Sequence, residues 1–191
     1  MSRLGWILRP DPDRSGRQLA LTVLAPILPG HAGDLGEAVR GFGRGPDSPF
    51  AAVPGLHFGR WVIVPQLIWE PVGQEPSERL ASQYLLFSTS STGTLDQHLA
   101  ALRTHMPDAC DTVFGHCVNY PGARAASDFD AWLRRGQLHT SLFHAGYPHA
   151  SPEEVRAAVA LRDELVTYAL EAQELTPADA QSRYLERFGP A

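Results

Sequence analysis

The chain has 191 residues, is 43% hydrophobic and carries a formal net charge of -5 at neutral pH. That is enough for one substantial core and cramped for two independent domains. Its 16 basic residues are scattered among 21 acids, which argues against a nucleic-acid backbone as partner. No apolar run reaches membrane-spanning length, and Met1 to Leu8 offers too few apolar positions before Arg9-Pro10 for a signal peptide, so no membrane partner and a cytoplasmic location are expected. Cys110 and Cys117 match no zinc signature and read as small buried hydrophobes in a reduced chain.

Residues 1–17, rich in Arg, Asp and Pro, read as a loosely held N-terminal arm. Order begins with Gln18 to Ile27, a strand apolar enough to be central and terminated between Pro26 and Gly30. Leu35, Val39 and Phe42 stand at helical spacing and predict a helix from Ala32 to Phe42. Gly43-Arg44-Gly45-Pro46 breaks it and reads as a flexible loop or lid.

A second strand covers residues 55–64, a Pro-containing connection runs from Pro65 to Arg79, and a third strand covers Gln83 to Thr89. Thr94-Leu95-Asp96-Gln97 fits a capping box that opens a helix to about Met106, where Pro107 stops it. Thr112 to Val118 predicts a fourth strand, which makes the order β-α-β-β-α-β, the ferredoxin-like split arrangement. Both helices of that topology cover one sheet face and leave the other for a ligand, a second sheet or a dimer partner.

Ala125 to Arg135 then reads as a helix and Leu138 to Tyr147 as a further extended segment. Ser151-Pro152-Glu153-Glu154 caps a long helix striped by Val155, Val159, Leu161, Leu165, Val166, Ala169 and Leu170. Thr176 opens a last, more polar helix that reaches about Phe188. The expected organisation is an arm (1–17), an α+β domain (18–175) and a helical appendage (176–191).

The most informative run is Leu56-His57-Phe58-Gly59-Arg60-Trp61-Val62-Ile63-Val64, where an imidazole and a guanidinium interrupt buried β-structure. Such groups are costly to bury unpartnered, so they belong to a satisfied network or to a pocket. Strict alternation puts His57, Gly59, Trp61 and Ile63 on one face and Phe58, Arg60, Val62 and Val64 on the other. The bland assignment is an Arg60 salt bridge and a His57 bonded to backbone. The functional one gives Arg60 a carboxylate or an oxygen species to hold.

His57-Phe58-Gly59-Arg60-Trp61, with Tyr84-Leu85-Leu86-Phe87, Phe114-Gly115-His116-Cys117 and Phe143-His144-Ala145-Gly146-Tyr147, resembles bacterial proteins with a His-Phe-Ala-Arg-aromatic strand. Those proteins often accompany haem peroxidases, and their fold looks like the dimeric α+β barrel superfamily. The resemblance implies a ferredoxin-like βαββαβ core with an added C-terminal strand and helices, a homodimer, and an oxidative or rearranging reaction on a small organic substrate. It allows haem as cofactor and a haem enzyme as partner. The chain departs from the pattern at Gly59, where Ala is common, and at Ser90-Ser91-Thr92-Gly93, where an acid is expected; this departure weakens transfer of peroxidase chemistry.

His116 and His144, on strand-like segments, are candidates beside His57 for acid/base work or iron ligation, and Tyr147 for a hydroxyl. His98 and His105, seven apart on the second predicted helix, are the positions where the resemblance implies a proximal haem ligand; packing over the sheet is their ordinary role. No zinc, di-iron, Gly-x-Ser-x-Gly or Cys-x-x-Cys element occurs. The expected function is a small-molecule enzyme with an apolar pocket on the open sheet face. The alternative is a non-catalytic accessory protein for a haem enzyme.

Overall fold

The computed structural model describes residues 11–65 and 83–189. Apart from Pro65, the expected connection from Pro65 to Arg79 lies outside the described residues, as do residues 1–10 of the arm. The chain divides into two compact units, one ending at His149 and one beginning at Ala150.

The first unit is α+β. Its strands are β1 (Arg14–Ser15), β2 (Gln18–Pro26), β3 (Leu56–Val64) and β4 (Tyr84–Thr92), joined in one antiparallel sheet of order β1-β2-β4-β3. Side chains alternate across a pleated strand, and β4 shows it plainly: Leu85, Phe87, Thr89 and Ser91 are buried while Tyr84, Leu86, Ser88, Ser90 and Thr92 are only half-buried. The buried set, with Leu21, Val23 and Ala25 of β2, packs under four helices, α1 (Ala32–Gly41), α2 (Leu95–His105), α3 (Pro107–Phe114) and α4 (Ala126–Arg135).

Local chemistry fixes the helix ends. Thr94 Oγ1 accepts from Gln97 N at 3.3 Å while Thr94 N donates to Gln97 Oε1 at 2.9 Å, a reciprocal box that satisfies two donors at the α2 start. Arg103 Nε donates to Asp130 Oδ1 at 2.9 Å and so ties α2 to α4. Phe87, Phe114 and Phe129 are fully buried and Trp132 nearly so; Phe114 meets Phe87 edge-on and Trp132 at a tilt, and Phe129 meets Tyr120. Each such side chain contributes about 1.5–3 kcal/mol of burial.

Two expected strands are not strands. Residues 112–118 were expected to be extended, yet α3 runs to Phe114, because Pro107 occupies the first helical position, where its missing N–H is harmless, and so starts a helix as well as ending one. Ala109, Cys110, Val113 and Phe114 then form a buried helical stripe. Leu138 to Tyr147 is likewise irregular. Single bridges, Ile27 with Cys117 and Val23 with Gln137, occupy the outer edge of β2 in place of a fourth long strand.

The arm is fastened at Asp13. Its carboxylate accepts from Thr140 N at 2.7 Å, from Thr140 Oγ1 at 2.9 Å and from His139 Nδ1 at 2.6 Å. Burial pushes its pKa upward, but the bonds from Thr140 and His139 outweigh that and hold the carboxyl below its ordinary value.

The second unit holds α5 (Pro152–Ala172) and α6 (Pro177–Phe188). Ser151 and Glu154 close the expected capping box on α5. The two helices are joined by Tyr168 Oη donating to Ala180 O at 2.8 Å and by contacts of Tyr168 with Tyr184 and Phe188.

Candidate functional site

Everything packed under the helices is committed to the core, so the sheet's helix-free face and the outer edge of β3 are where this unit offers reactive side chains. Register lays out that face in cross-strand rows: Pro26, Tyr84, Val64; Leu24, Leu86, Val62; Thr22, Ser88, Arg60; Ala20, Ser90, Phe58. Phe58 and Val62 are 48% and 39% exposed, large fractions for apolar groups on one face of a sheet. Arg60 stands between them in sequence, its Cζ 5.6 Å from the Phe58 ring centroid, close enough for a cation–π contact. Among the described residues it forms no salt bridge, so the bland assignment made for it does not hold.

The alternation expected to separate His57 from Arg60 is broken. The register shifts between Leu56, opposite Ser91, and Phe58, opposite Ser90, which leaves His57 as the extra residue of a bulge. A bulge re-aims the side chain it carries. His57 Nε2 lies 2.7 Å from Oγ1 of Thr92, which alternates onto the helix-free side of β4, so His57 joins Arg60 on that side. Three residues of extended chain separate them by roughly 10 Å, about the length of a small organic acid.

The other candidates do not converge there. Tyr147 is 78% exposed, and its backbone oxygen accepts from Gln18 Nε2 at 2.8 Å, at the His57 end of the sheet. His144 is exposed in the preceding loop. His116 lies at the far end, where its carbonyl accepts from Leu28 N and its Nδ1 faces that of His31 at 3.2 Å. With about 3.3 Å per strand residue, the ten residues from Gln18 to Leu28 put it roughly 30 Å from His57.

The helical histidines divide. His105 is exposed at the end of α2. His98 is 3% exposed beneath the sheet, with Nε2 2.8 Å from Thr89 Oγ1, and its Nδ1 has no partner. Burial pushes its pKa down to about 4, so it is neutral at pH 7. A buried N–H without an acceptor costs more than an idle lone pair, which favours the tautomer protonated on Nε2 and donating to Thr89. The cysteines are equally inert: burial pushes both Cys110 and Cys117 up to about 12.

Two concavities border the sheet. One, of about 190 Å³, lies along the β2 edge between the two bridges and is lined by Leu24, Pro26, Asn119 and Arg135 among others. The larger, of about 400 Å³, lies at β3, where Gly59, Arg60 and Trp61 meet Arg40, Phe42, Arg44 and Phe50. Gly59 is required there: a Cβ would lie 2.8 Å from Phe50 Cδ1, and the Phe50 ring packs instead against Trp61 with centroids 4.3 Å apart. Sequence reasoning flagged this glycine loop as a lid and overlooked Arg40 and Arg44, although the alternation Gly43-Arg44-Gly45 beside an aromatic pair was visible.

Neither concavity presents a histidine, and His98, the buried helical one, is locked to Thr89 inside the core. A haem with an axial histidine therefore finds no ligand in either of these two concavities. Compared with protein-family models, with curated proteins and with solved structures, the chain has no significant match. What is established is an α+β sheet protein with candidate chemistry concentrated on β3.

Proposed function

We propose that the chain is a small-molecule enzyme of ferredoxin-like architecture, in which the helix-free sheet face takes a small organic acid and a second copy closes over it. The observation that carries the reading is the bulge that puts His57 on the same face as Arg60, amid exposed Phe58 and Val62. The strand order β2-β4-β3 with helices on one side supports the architecture, since it is the order of strands one, three and two in a βαββαβ unit.

The chemistry proposed is rearranging. His57 takes a proton from a carbon beside a substrate carbonyl, Arg60 holds the charge that develops on the oxygen, and His57 returns the proton to another atom of the same molecule. No external oxidant is then required. This step rests on the residue types and their shared face, and fold alone does not supply it.

The test pairs oligomeric state with ligand response. Light scattering should give a dimer that Val62→Glu dissociates, and a panel of small organic acids should raise the melting temperature of the wild type but not of Arg60→Ala. A monomeric wild type, or an Arg60→Ala protein with an unchanged ligand response, would sink the reading. One observation favours the accessory alternative: α5 exposes Val155, Val159, Val166 and Leu170, an apolar stripe suited to another protein. Capture of a partner that Val159→Glu abolishes, with no ligand response at all, would support it.

A further inference from the structure

We infer that the concavity at the outer edge of β3 is a binding site for an aromatic phosphate monoester, with the phosphate held by Arg40 and Arg44 and the ring against Phe50 and Trp61. It does not depend on the sheet-face reading, because Arg40 and Arg44 come from α1 and the loop after it, whereas the Arg60 guanidinium stands over Phe58 on the helix-free face.

Arg40, Arg44 and Arg60 all line one concavity of a chain whose net charge is -5, with the Arg60 head group turned onto the helix-free face beside Phe58. Like charges gathered without counter-charges repel, so such a cluster stands out unless an anion resolves it. Among the described residues none of the three forms an ion pair. Glu37 and Asp47, each three residues from one of the arginines, are both absent from the lining, and Asp47 packs its Cβ and backbone beneath Gly43. Arg40 is given room by Gly36, where a Cβ would stand 3.3 Å from its Nη1.

The remaining wall is aromatic. Trp61 packs between Phe42, at a centroid distance of 5.5 Å, and Phe50, at 4.3 Å, and all three rings line the concavity while remaining half-buried. The indole Nε1 of Trp61 is buried with no hydrogen-bond partner, an orphaned donor on this wall. The volume, about 400 Å³, falls within the range of small-ligand pockets.

Charge decides the ligand class. A single carboxylate would leave one of the two guanidiniums unanswered, whereas a phosphate monoester brings about two negative charges and three acceptor oxygens that match the planar fork of Arg. A purely inorganic anion would leave the aromatic wall unused, so the ligand carries a ring as well.

The experiment titrates the full chain with phenyl phosphate, inorganic phosphate and phenol by calorimetry. Phenyl phosphate is expected to bind at least about tenfold tighter than either fragment, and more weakly as salt rises. Arg40→Ala and Arg44→Ala, both at exposed positions that should fold normally, should each weaken it about tenfold or more. Arg124→Ala, an arginine on the loop before α4, should leave it unchanged. Gly59→Ala should push Phe50 aside and weaken phenyl phosphate while sparing inorganic phosphate. Equal affinity for phenyl phosphate and inorganic phosphate, no binding of phenyl phosphate, or Arg40→Ala and Arg44→Ala proteins that bind as the wild type does would each overturn the inference. His57→Ala separates the two sites: it should leave phenyl phosphate binding intact even where it removes activity at the sheet face.

Discussion

His98 should make this protein lose stability as pH falls from neutrality, in a window set by its burial. Its pKa is pushed down to about 4 in the folded chain against 6.5 for an ordinary imidazole, because burial disfavours the charged imidazole. A group whose folded pKa is depressed contributes full stability above its unfolded pKa, and that contribution drains away as pH drops towards the folded pKa. At pH 5 the unfolded chain holds nearly one proton on His98 and the folded chain about a tenth of one, which gives a slope of about 1.2 kcal/mol per pH unit. Integrated from pH 7 to pH 5 the loss is about 2 kcal/mol, a large share of a typical domain's stability. Urea denaturation at half-unit pH steps measures it as a falling midpoint, with His98→Gln as comparison because it keeps a donor for Thr89. The expected result is a steeper pH dependence in the wild type, with the difference between the proteins confined to roughly pH 4 to 6.5. Identical pH dependence in both proteins would refute the reasoning. So would an NMR titration of the His98 ring with a midpoint near that of an ordinary imidazole, a readout that remains even if the variant folds poorly.

Asp13→Asn should cost about 1–3 kcal/mol, since it removes the charge that Thr140 and His139 bond to. It should also speed amide exchange at Thr140, and unchanged exchange there would show that the clasp does not hold this loop. Because the folded pKa of Asp13 lies below 3.8, its contribution is present above that value and lost as pH falls beneath it, so its window lies lower than that of His98. Cys110 and Cys117, both pushed up to about 12, should resist a thiol reagent at pH 8 in the native protein and react at once in urea. Rapid native labelling of either would contradict their burial.

The parts of the fold legible in the sequence were those written in local chemistry. Capping boxes at Thr94 and Ser151 announced α2 and α5 because the bonds they make lie within four residues of chain. Strands β2, β3 and β4 were legible as apolar runs bounded by turn residues. The failure at Thr112–Val118 has a physical source: Thr, Val, Phe and Cys favour strands by composition, whereas the spacing of Ala109, Cys110, Val113 and Phe114 already described a helix face. The bulge at His57 had no local signature. It arises from the pairing of β3 with β4, a non-local choice that puts Leu56 opposite Ser91 and Phe58 opposite Ser90. For the same reason the clasp at Asp13 was invisible, since its partners lie more than a hundred residues away.

That one inserted residue decides how β3 can act. In a regular strand, burying Trp61 under Phe42 and Phe50 would force His57 beneath the helices as well, where a neutral, desolvated imidazole such as His98 is the outcome. The bulge uncouples the two demands. Gly59, Trp61 and Ile63 serve the helix side, Phe58, Arg60 and Val62 the helix-free side, and His57 follows the latter through Thr92. Gly59 adds the second half of the device, because the missing Cβ lets Phe50 close against the strand and brings the Arg44 loop beside Arg60. The polar residues of β3 are therefore separated from the core by backbone geometry at positions 57 and 59, and substitution at either should disturb the site before it disturbs the sheet.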